Sequence, residues 1–444
     1  MDNSVLNSIK STSQGLLNQL LNPNLVLVLF MSSVLFSCST TRVRSVKRQV
    51  STALNSKFYN NQFTGVLVVD HLKKDTLICI NSDKYFTPAS NVKIFTLYSG
   101  LQLIPNKIPS LKYLVQNDTL YFEGTGDPSW LHPYFQDSTA LEFLEGFKNL
   151  AFSVENYRDT KFGPGWAWED YEFYFSPERG SIPTYGNVIK LFEKDSLVIS
   201  PNFFKNSIHR KKRENLRDLA ENKFFIPENL KDTLEIPFKT SKEFTKTILQ
   251  NQLAKKLRYI ANFPKGEKTV LYGIETDSIY KRMLYESDNF LAEQLMLVAT
   301  STLSDTLNFK TSRDYILQST LSGLKQPPRW ADGSGLSRYN LFTPESFVQV
   351  LTLLKEEINE QRLFHLFPSW NASGTITKSK NVNEIPFIYA KSGGMGNVYN
   401  LSGYLKTKSD RILIFSFMNN HFRSPSREVR QNMYTILKKI HDAY

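Results

Sequence analysis

Cysteine is nearly absent: the 444 residues contain two, Cys38 and Cys79. Two thiols can neither staple a disulfide scaffold nor complete a four-cysteine zinc site. Histidine is also sparse. His71, His132, His209, His365, His421 and His441 are scattered without metal-ligand spacing, so none is read as a ligand and no cofactor is implied. Glycine and proline, at 20 and 19, are too few for a collagen-like or linker-dominated chain. No segment repeats at a solenoid or propeller period. No glycine-rich loop follows a strand in the manner of a nucleotide site. Charged residues, at 22%, are not numerous enough for intrinsic disorder beside 41% hydrophobic residues. What remains is a globular chain long enough for two or three domains.

Positive charge is in excess. Lys and Arg number 54 against 42 Asp and Glu, a net charge of +12. Taken alone, that balance suits nucleic acid, anionic lipid or a cell-wall polymer. The N-terminus chooses among them. The apolar run from Leu25 to Phe36 is short for a membrane span and suits the core of an export signal. Leu35-Phe36-Ser37-Cys38 resembles the lipobox of bacterial lipoproteins. The expectation is a signal peptide over 1–37, a lipidated Cys38, and a chain held at a membrane in the periplasm or cell envelope. Removing 1–37 takes away Asp2 and Lys10, so the charge balance is unchanged. Export also demotes nucleic acid as a partner. Cys79, within an apolar tetrapeptide, reads as a small buried hydrophobe.

Along the chain, Arg42 to Tyr59 has helical apolar spacing, and Phe63 to Asp70 and Asp75 to Ile80 read as a hairpin. A helix opens at Ser90 and runs towards Leu103. The stretch 105–268 has short strand-like pieces, many turns and a basic cluster over His209 to Glu214, read as a solvated loop. Ser241 to Phe263 and Asp277 to Ser301 read as long helices. Phe387 to Ser392, Asn397 to Thr407 and Arg411 to Phe417 read as strands, and Arg427 to Ala443 as a closing helix. Two strands near the start and three near the end assemble most economically into one split α+β domain. It would hold a five-stranded antiparallel sheet with helices on both faces. The expected boundaries are 39–104 with 269–444 for that domain, and 105–268 for one inserted domain or two reduced ones.

Three short motifs occur in order: Ser90-Asn91-Val92-Lys93, Ser287-Asp288-Asn289 and Lys391-Ser392-Gly393. Together they match the SxxK, SxN and K[ST]G set of penicillin-binding proteins and serine β-lactamases. Singly they are weak. Ser278 with Lys281 and Ser322 with Lys325 repeat the first spacing, and Ser200 with Asn202, Ser369 with Asn371 and Ser379 with Asn381 repeat the second. Order and context separate the chosen set, since Ser90 opens an apolar helix and Lys391 lies on a strand-like stretch.

The resemblance runs from about residue 48 to the C-terminus. Gly124-Thr125-Gly126-Asp127-Pro128, the segment from Gly163 to Asp170, and Asp332-Gly333-Ser334-Gly335-Leu336-Ser337-Arg338 are similar to the D-alanyl-D-alanine carboxypeptidase/endopeptidase family. These are the class C low-molecular-mass penicillin-binding proteins. Asn340 to Pro344, Gly374 to Ile376 and Leu401 to Tyr404 continue it. The resemblance implies a β-lactamase/DD-peptidase-like fold, peptidoglycan stem peptides as substrate and β-lactams as inhibitors.

Physical logic points the same way. Ser90 and Lys93, at i and i+3, share one helix face. A serine hydroxyl needs a base, and a lysine becomes one when burial or a neighbouring cation such as Lys391 depresses its pKa. Ser287 offers a hydroxyl to relay a proton to the leaving amine. Asn289 offers an amide to hold the substrate and Lys93. Lys391 and Ser392 suit a terminal carboxylate, with Ser392 where the family usually has threonine. Gly393 permits close approach to the strand. By family analogy, the backbone N–H groups of Ser90 and Gly394 form the oxyanion hole. Asp127, Trp166 and Trp168 read as scaffold, and Asp332 to Gly335 as a supporting turn. The reading is a serine DD-peptidase cleaving D-Ala-D-Ala, cross-links, or both. Its rivals are a β-lactamase or esterase on the same scaffold, and a non-catalytic wall-binding lipoprotein.

Overall fold

The two ends of the chain build one sheet. In the computed structural model, which describes residues 44–211, 213–370 and 385–444, the hairpin of Phe63–Asp70 and Asp75–Ile80 joins three strands from the far end. The sheet order is Ile388–Met395, Val398–Lys406, Ile412–Asn420, Phe63–Asp70, Asp75–Ile80. Every neighbouring pair is antiparallel. The decisive seam pairs Phe63 with Asn420 through to Asp70 with Leu413. The expected signal segment, Cys38 and the Gly374 to Ile376 stretch lie outside the described residues.

Strand periodicity explains why both faces are covered. Side chains alternate across a sheet, and the strand Ile412–Asn420 is apolar on both sides. Leu413, Phe415 and Phe417 face a cluster built with Val429, Met433, Ile436, Leu437 and Ile440 of the closing helix Ser426–Ala443. Ile414 and Met418 face the opposite cluster. There the helices Lys93–Leu103, Asn289–Ser301 and Pro344–Glu357 pack with Phe95, Leu291, Leu295, Phe347 and Leu351. Tyr404, fully buried on the neighbouring strand, donates its hydroxyl to the Leu351 carbonyl at 2.8 Å and ties helix to sheet. The Asn289–Ser301 helix is buried on every side, and its polar Glu293 and Gln294 are hydrogen-bonded within the core.

The middle of the chain forms separate sheets. Leu257–Tyr259, Asn149–Ser153, Thr119–Gly124, Lys107–Gln116 and Thr269–Glu275 make a mixed five-stranded sheet over Leu111, Leu120, Phe122 and Phe152. Its edge strand therefore extends past residue 268. A three-stranded sheet of Leu234–Pro237, Val188–Glu193 and Leu197–Ser200 encloses a second core around Phe204, Phe224 and Phe238.

Local readings changed in four places. The helix from Lys242, capped by the Ser241 side chain, stops at Leu253, where Ala254 turns left-handed at φ 49°, and Leu257–Tyr259 is a strand. The expected helix Asp277 to Ser301 is two helices, Thr276–Tyr285 and Asn289–Ser301. Cys79 is exposed, not buried; it lies near the end of the edge strand Asp75–Ile80, past the buried Leu77 and Ile78. The basic cluster is partly ordered: Ile208–Arg210 pairs with Phe224–Ile226, and the Arg213 guanidinium lies 4.0 Å over the Phe225 ring.

The doubly covered sheet implies a stability test. Phe415 is fully buried. Phe415→Ala leaves a cavity that neighbours on a paired strand cannot collapse to fill, and we expect a loss of about 3–5 kcal/mol. Urea unfolding of variant and wild type would read it as a lowered midpoint.

Candidate active site

The break between two helices delivers the first site residue. The Thr276–Tyr285 helix ends in a Schellman-type closure, with Glu286 N–H donating to the Arg282 carbonyl and Asp288 N–H to the Met283 carbonyl at 3.1 Å. The left-handed position of this motif normally takes glycine. Here it is Ser287, at φ 57°. The strain is of the kind that persists where the surroundings over-determine it, commonly at functional sites. Asp288 then starts the next helix, its carboxylate accepting the Leu291 N–H at 3.0 Å. A continuous helix would have carried Ser287 and Asn289 to different faces; the break places both on one cleft.

Ser90 lies in the 3-10 turn Ala89–Val92 that opens the Lys93–Leu103 helix. Lys93 has no solvent exposure. Its Nζ lies 3.1 Å from Ser90 Oγ, 2.7 Å from Asn289 Oδ1 and 2.7 Å from the Ser334 carbonyl oxygen. Burial pushes the amine down to about 8, against the opposing pull of Asp332, Asp288 and Glu293. A neutral amine has two N–H bonds and one lone pair. The two carbonyl oxygens can only accept, so they take both N–H groups and leave the lone pair for the Ser90 O–H. The second amide function of Asn289 is also engaged, its Nδ2 donating to the Phe175 carbonyl at 2.9 Å.

Lys391 is likewise fully buried, on the edge strand Ile388–Met395. Its Nζ donates to Ser287 Oγ at 3.0 Å and to the Ser392 carbonyl at 2.7 Å. Burial, and after it the charge of Lys93, hold this amine well below the usual lysine range. The cation effect expected at Lys93 thus falls on Lys391, while desolvation dominates at Lys93.

Gly393 lets the edge strand run against the turn that carries Ser90. A Cβ there would lie 2.5 Å from the Pro88 carbonyl oxygen and 2.9 Å from the Ser90 nitrogen. Asn400 holds the same turn from the next strand, donating to the carbonyls of Thr87 and Pro88 at 2.9 and 2.8 Å. Ser392 is buried, whereas Gly394 is exposed at the cleft mouth. Hydrogen bonds therefore join Lys93 to Ser90 and Asn289 on one side and Lys391 to Ser287 on the other, with Gly393 against the turn that carries Ser90. The repeated spacings are elsewhere occupied: Lys281 contacts His365 and Lys325 pairs with Glu345.

The turn from Asp332 is more tightly organised than its sequence suggested. The Asp332 carboxylate accepts from Gly335 N–H at 2.8 Å, Ser337 N–H at 2.6 Å, Asn340 Nδ2 at 2.7 Å and Trp166 Nε1 at 2.8 Å. That clamp fixes the Ser334 carbonyl that receives Lys93. Backbone acceptors such as Ser334 and Phe175 carry no side-chain signature, so motif reading missed them. The aspartate and glycine of the turn were the only available signal. Trp168 is exposed at the surface, and Asp127 accepts the Ser129 N–H within the insert. A cleft of about 800 Å³ opens over Ser90, with His132, Tyr174 and Lys190 of the insert forming its far wall. Burial pushes the His132 imidazole down to about 4, so it is neutral at pH 7. Among the described residues, no group of three or more His, Cys, Asp or Glu side chains is placed to hold a metal ion.

Residues 239–440 match the D-Ala-D-Ala carboxypeptidase 3 (S13) family. That stretch holds Ser287, Asn289 and Lys391 but not Ser90 or Lys93; the hydrogen bonds above join the two groups. D-alanyl-D-alanine carboxypeptidase DacB of Haemophilus influenzae is 28% identical over 180 residues, 36% of this chain and 37% of that protein. The alignment thus spans well under two thirds of its length. The crystal structure of penicillin binding protein 4 (dacB) from Haemophilus influenzae superposes with a TM-score of 0.70 at 18% identity, covering 88% of this chain and 99% of that one. The same protein complexed with a novel β-lactam gives 0.63 at 17% identity, with the same coverage. At these identities the superpositions show a shared fold, the α+β arrangement of a DD-peptidase with its antiparallel sheet.

The Gly393 contacts are testable. Gly393→Ala places a methyl group against backbone atoms that cannot yield cheaply, so the strand must move off the turn. A displacement near 1 Å costs about a hundredfold in rate. We expect labelling of the site by a fluorescent penicillin to slow by that order while the thermal unfolding transition survives.

Proposed function

We propose that this chain, a member of the D-Ala-D-Ala carboxypeptidase (S13) family, is a serine DD-peptidase acting on peptidoglycan stem peptides through an acyl-enzyme on Ser90. One observation carries the proposal. Buried Lys93 Nζ meets three oxygens, those of the Asn289 side chain, the Ser334 carbonyl and Ser90 Oγ at 3.1 Å; once the amine loses its extra proton, the first two take its N–H bonds and the lone pair is left for the Ser90 hydroxyl. That arrangement serves proton abstraction and has no use in a protein that merely holds a ligand.

The steps follow from the groups present. Ser90 Oγ attacks the carbonyl carbon of the penultimate D-alanine as its proton passes to Lys93 Nζ. The oxyanion forms beside the N–H groups of Ser90 and Gly394. The tetrahedral species collapses with cleavage of the C–N bond. The leaving amine takes a proton from the Ser287 hydroxyl, which Lys391 Nζ holds in place; the proton that Lys93 took from Ser90 restores that hydroxyl, so Lys93 is neutral again for deacylation. Water then adds to the ester, Lys93 again accepting a proton, and Ser90 is released. Ser392 and Lys391 would receive the substrate's terminal carboxylate, and Gly393 admits the strand that lies along it. Cleavage of D-Ala–diamino acid cross-links uses the same steps with a larger leaving amine. β-Lactams, as substrate mimics, would acylate Ser90. Cys38 and the segment before it fit a lipid anchor in the cell envelope, and the basic surface fits work beside anionic wall and lipid.

The test is mass spectrometry after incubation with labelled penicillin. The wild type should gain one adduct, mapped to Ser90, and Ser90→Ala none. An adduct elsewhere, or none on the wild type, overturns the proposal. The pH dependence has a definite sign. Lys93 titrates at about 8, and below that value its ammonium cannot take the Ser90 proton. The acylation rate should therefore climb as pH rises through about 8, with a stopped-flow pH series as the measurement.

A further inference from the structure

Behind Lys93 lies an ion pair that the reaction does not touch. Arg179, from the insert, and Glu293, from the helix that begins at Asn289, are each only 1% exposed, and Arg179 Nη1 donates to Glu293 Oε2 at 3.1 Å. The other carboxylate oxygen, Oε1, accepts the Ser334 N–H at 2.8 Å. Ser334 in turn presents its carbonyl to Lys93 Nζ at 2.7 Å. The next N–H along, that of Gly335, is fixed by Asp332. Ser334 is thus held from one side by Glu293 and from the other by Asp332.

We propose that Glu293 and Arg179 are positioning residues for the catalytic base: Glu293 holds the Ser334 carbonyl against Lys93, and Arg179 holds Glu293 and favours its charged form. The inference rests on the reading of Lys93 as base. A buried ion pair is weak evidence for stability, because desolving two charges offsets their attraction. Here the pair has a specific recipient. The Arg179 guanidinium is itself oriented, with Nη2 donating to the Thr160 carbonyl at 2.9 Å and lying 3.3 Å from the Asp159 carboxylate. It therefore links the insert to the base through one turn of backbone.

The charges around the base are few. Lys93 faces Asp332 from the turn, Asp288 and Glu293 from the Asn289 helix and its cap, and Lys391 from the edge strand. Glu293 faces Arg179 and Asp332. Arg179 also faces Asp159, Asp332 and Tyr157. Burial and Asp332 push the Glu293 carboxyl up to about 7, and Arg179 opposes them. Without the guanidinium, Glu293 takes a proton, and Lys93 loses a negative neighbour that favours its charged form.

The experiment measures the penicillin acylation rate against pH for the full chain. Glu293→Gln and Arg179→Met should each lower the plateau rate and move the acid limb to lower pH by about one unit. Arg179→Lys should leave the limb in place. A merely structural pair would lower the rate at every pH with the limb unmoved, and that result in folded variants overturns the inference. If neither neutral variant shows a cooperative thermal transition, Glu293→Asp decides. It keeps the charge but is one methylene too short to reach both Arg179 and Ser334. Its limb should hold while its plateau falls about tenfold; a wild-type plateau sinks the positioning role. Failure of the DD-peptidase reading looks different, because wild type would then form no Ser90 adduct and give no pH curve.

Discussion

An amine withdrawn from water must place each of its hydrogen atoms on a partner. That constraint on Lys93 shapes the rest of the molecule. Its partners arrive from the Asn289 helix and from the Asp332 turn. Each of those elements is then fixed by further contacts: Asn289 by the Phe175 carbonyl, the turn by five donors to Asp332, the helix by burial on every side. Desolvation depresses the amine, and the same desolvation makes any misplaced acceptor costly. Reactivity and rigidity therefore have one cause.

The second lysine obeys the same rule with a different outcome. Lys391 sits equally deep, and there burial is joined by the repulsion of Lys93 rather than opposed by carboxylates among the described residues. Two neighbouring amines in a dry site do not readily both carry charge. Holding one neutral resolves the conflict; Ser287, at its left-handed position between two helices, meets Lys391 Nζ at 3.0 Å.

Much of this was legible because periodicity and motif order carry it. The split sheet followed from where the alternating apolar runs lay, and its strands fell within a few residues of the expected ranges. The three motifs named side chains that the fold connects. What the sequence hid was of another kind. The run Glu286-Ser287-Asp288-Asn289 interrupts the apolar spacing and supplies an N-cap aspartate, but one long helical reading passed over it because a serine stands where glycine would have announced the break more plainly. Cys79 looked buried because its neighbours are apolar, yet it is exposed near the end of the edge strand. The Arg179–Glu293 pair joins residues 114 positions apart, and nothing local to either signals the other.

The seam between Phe63–Asp70 and Ile412–Asn420 also sets an order of events. It joins positions about 350 residues apart in the chain, and such remote pairings close slowly because the loop between them must first lose its freedom. The two cores of the intervening segment consist of nearer partners, so they can condense first and shorten the effective loop. Ser90 and Lys93 are made early in synthesis and Lys391 late. A ribosome-bound chain holds Ser90 and Lys93 with no strand to face them, and the cleft is complete only once the segment carrying Lys391 has been made.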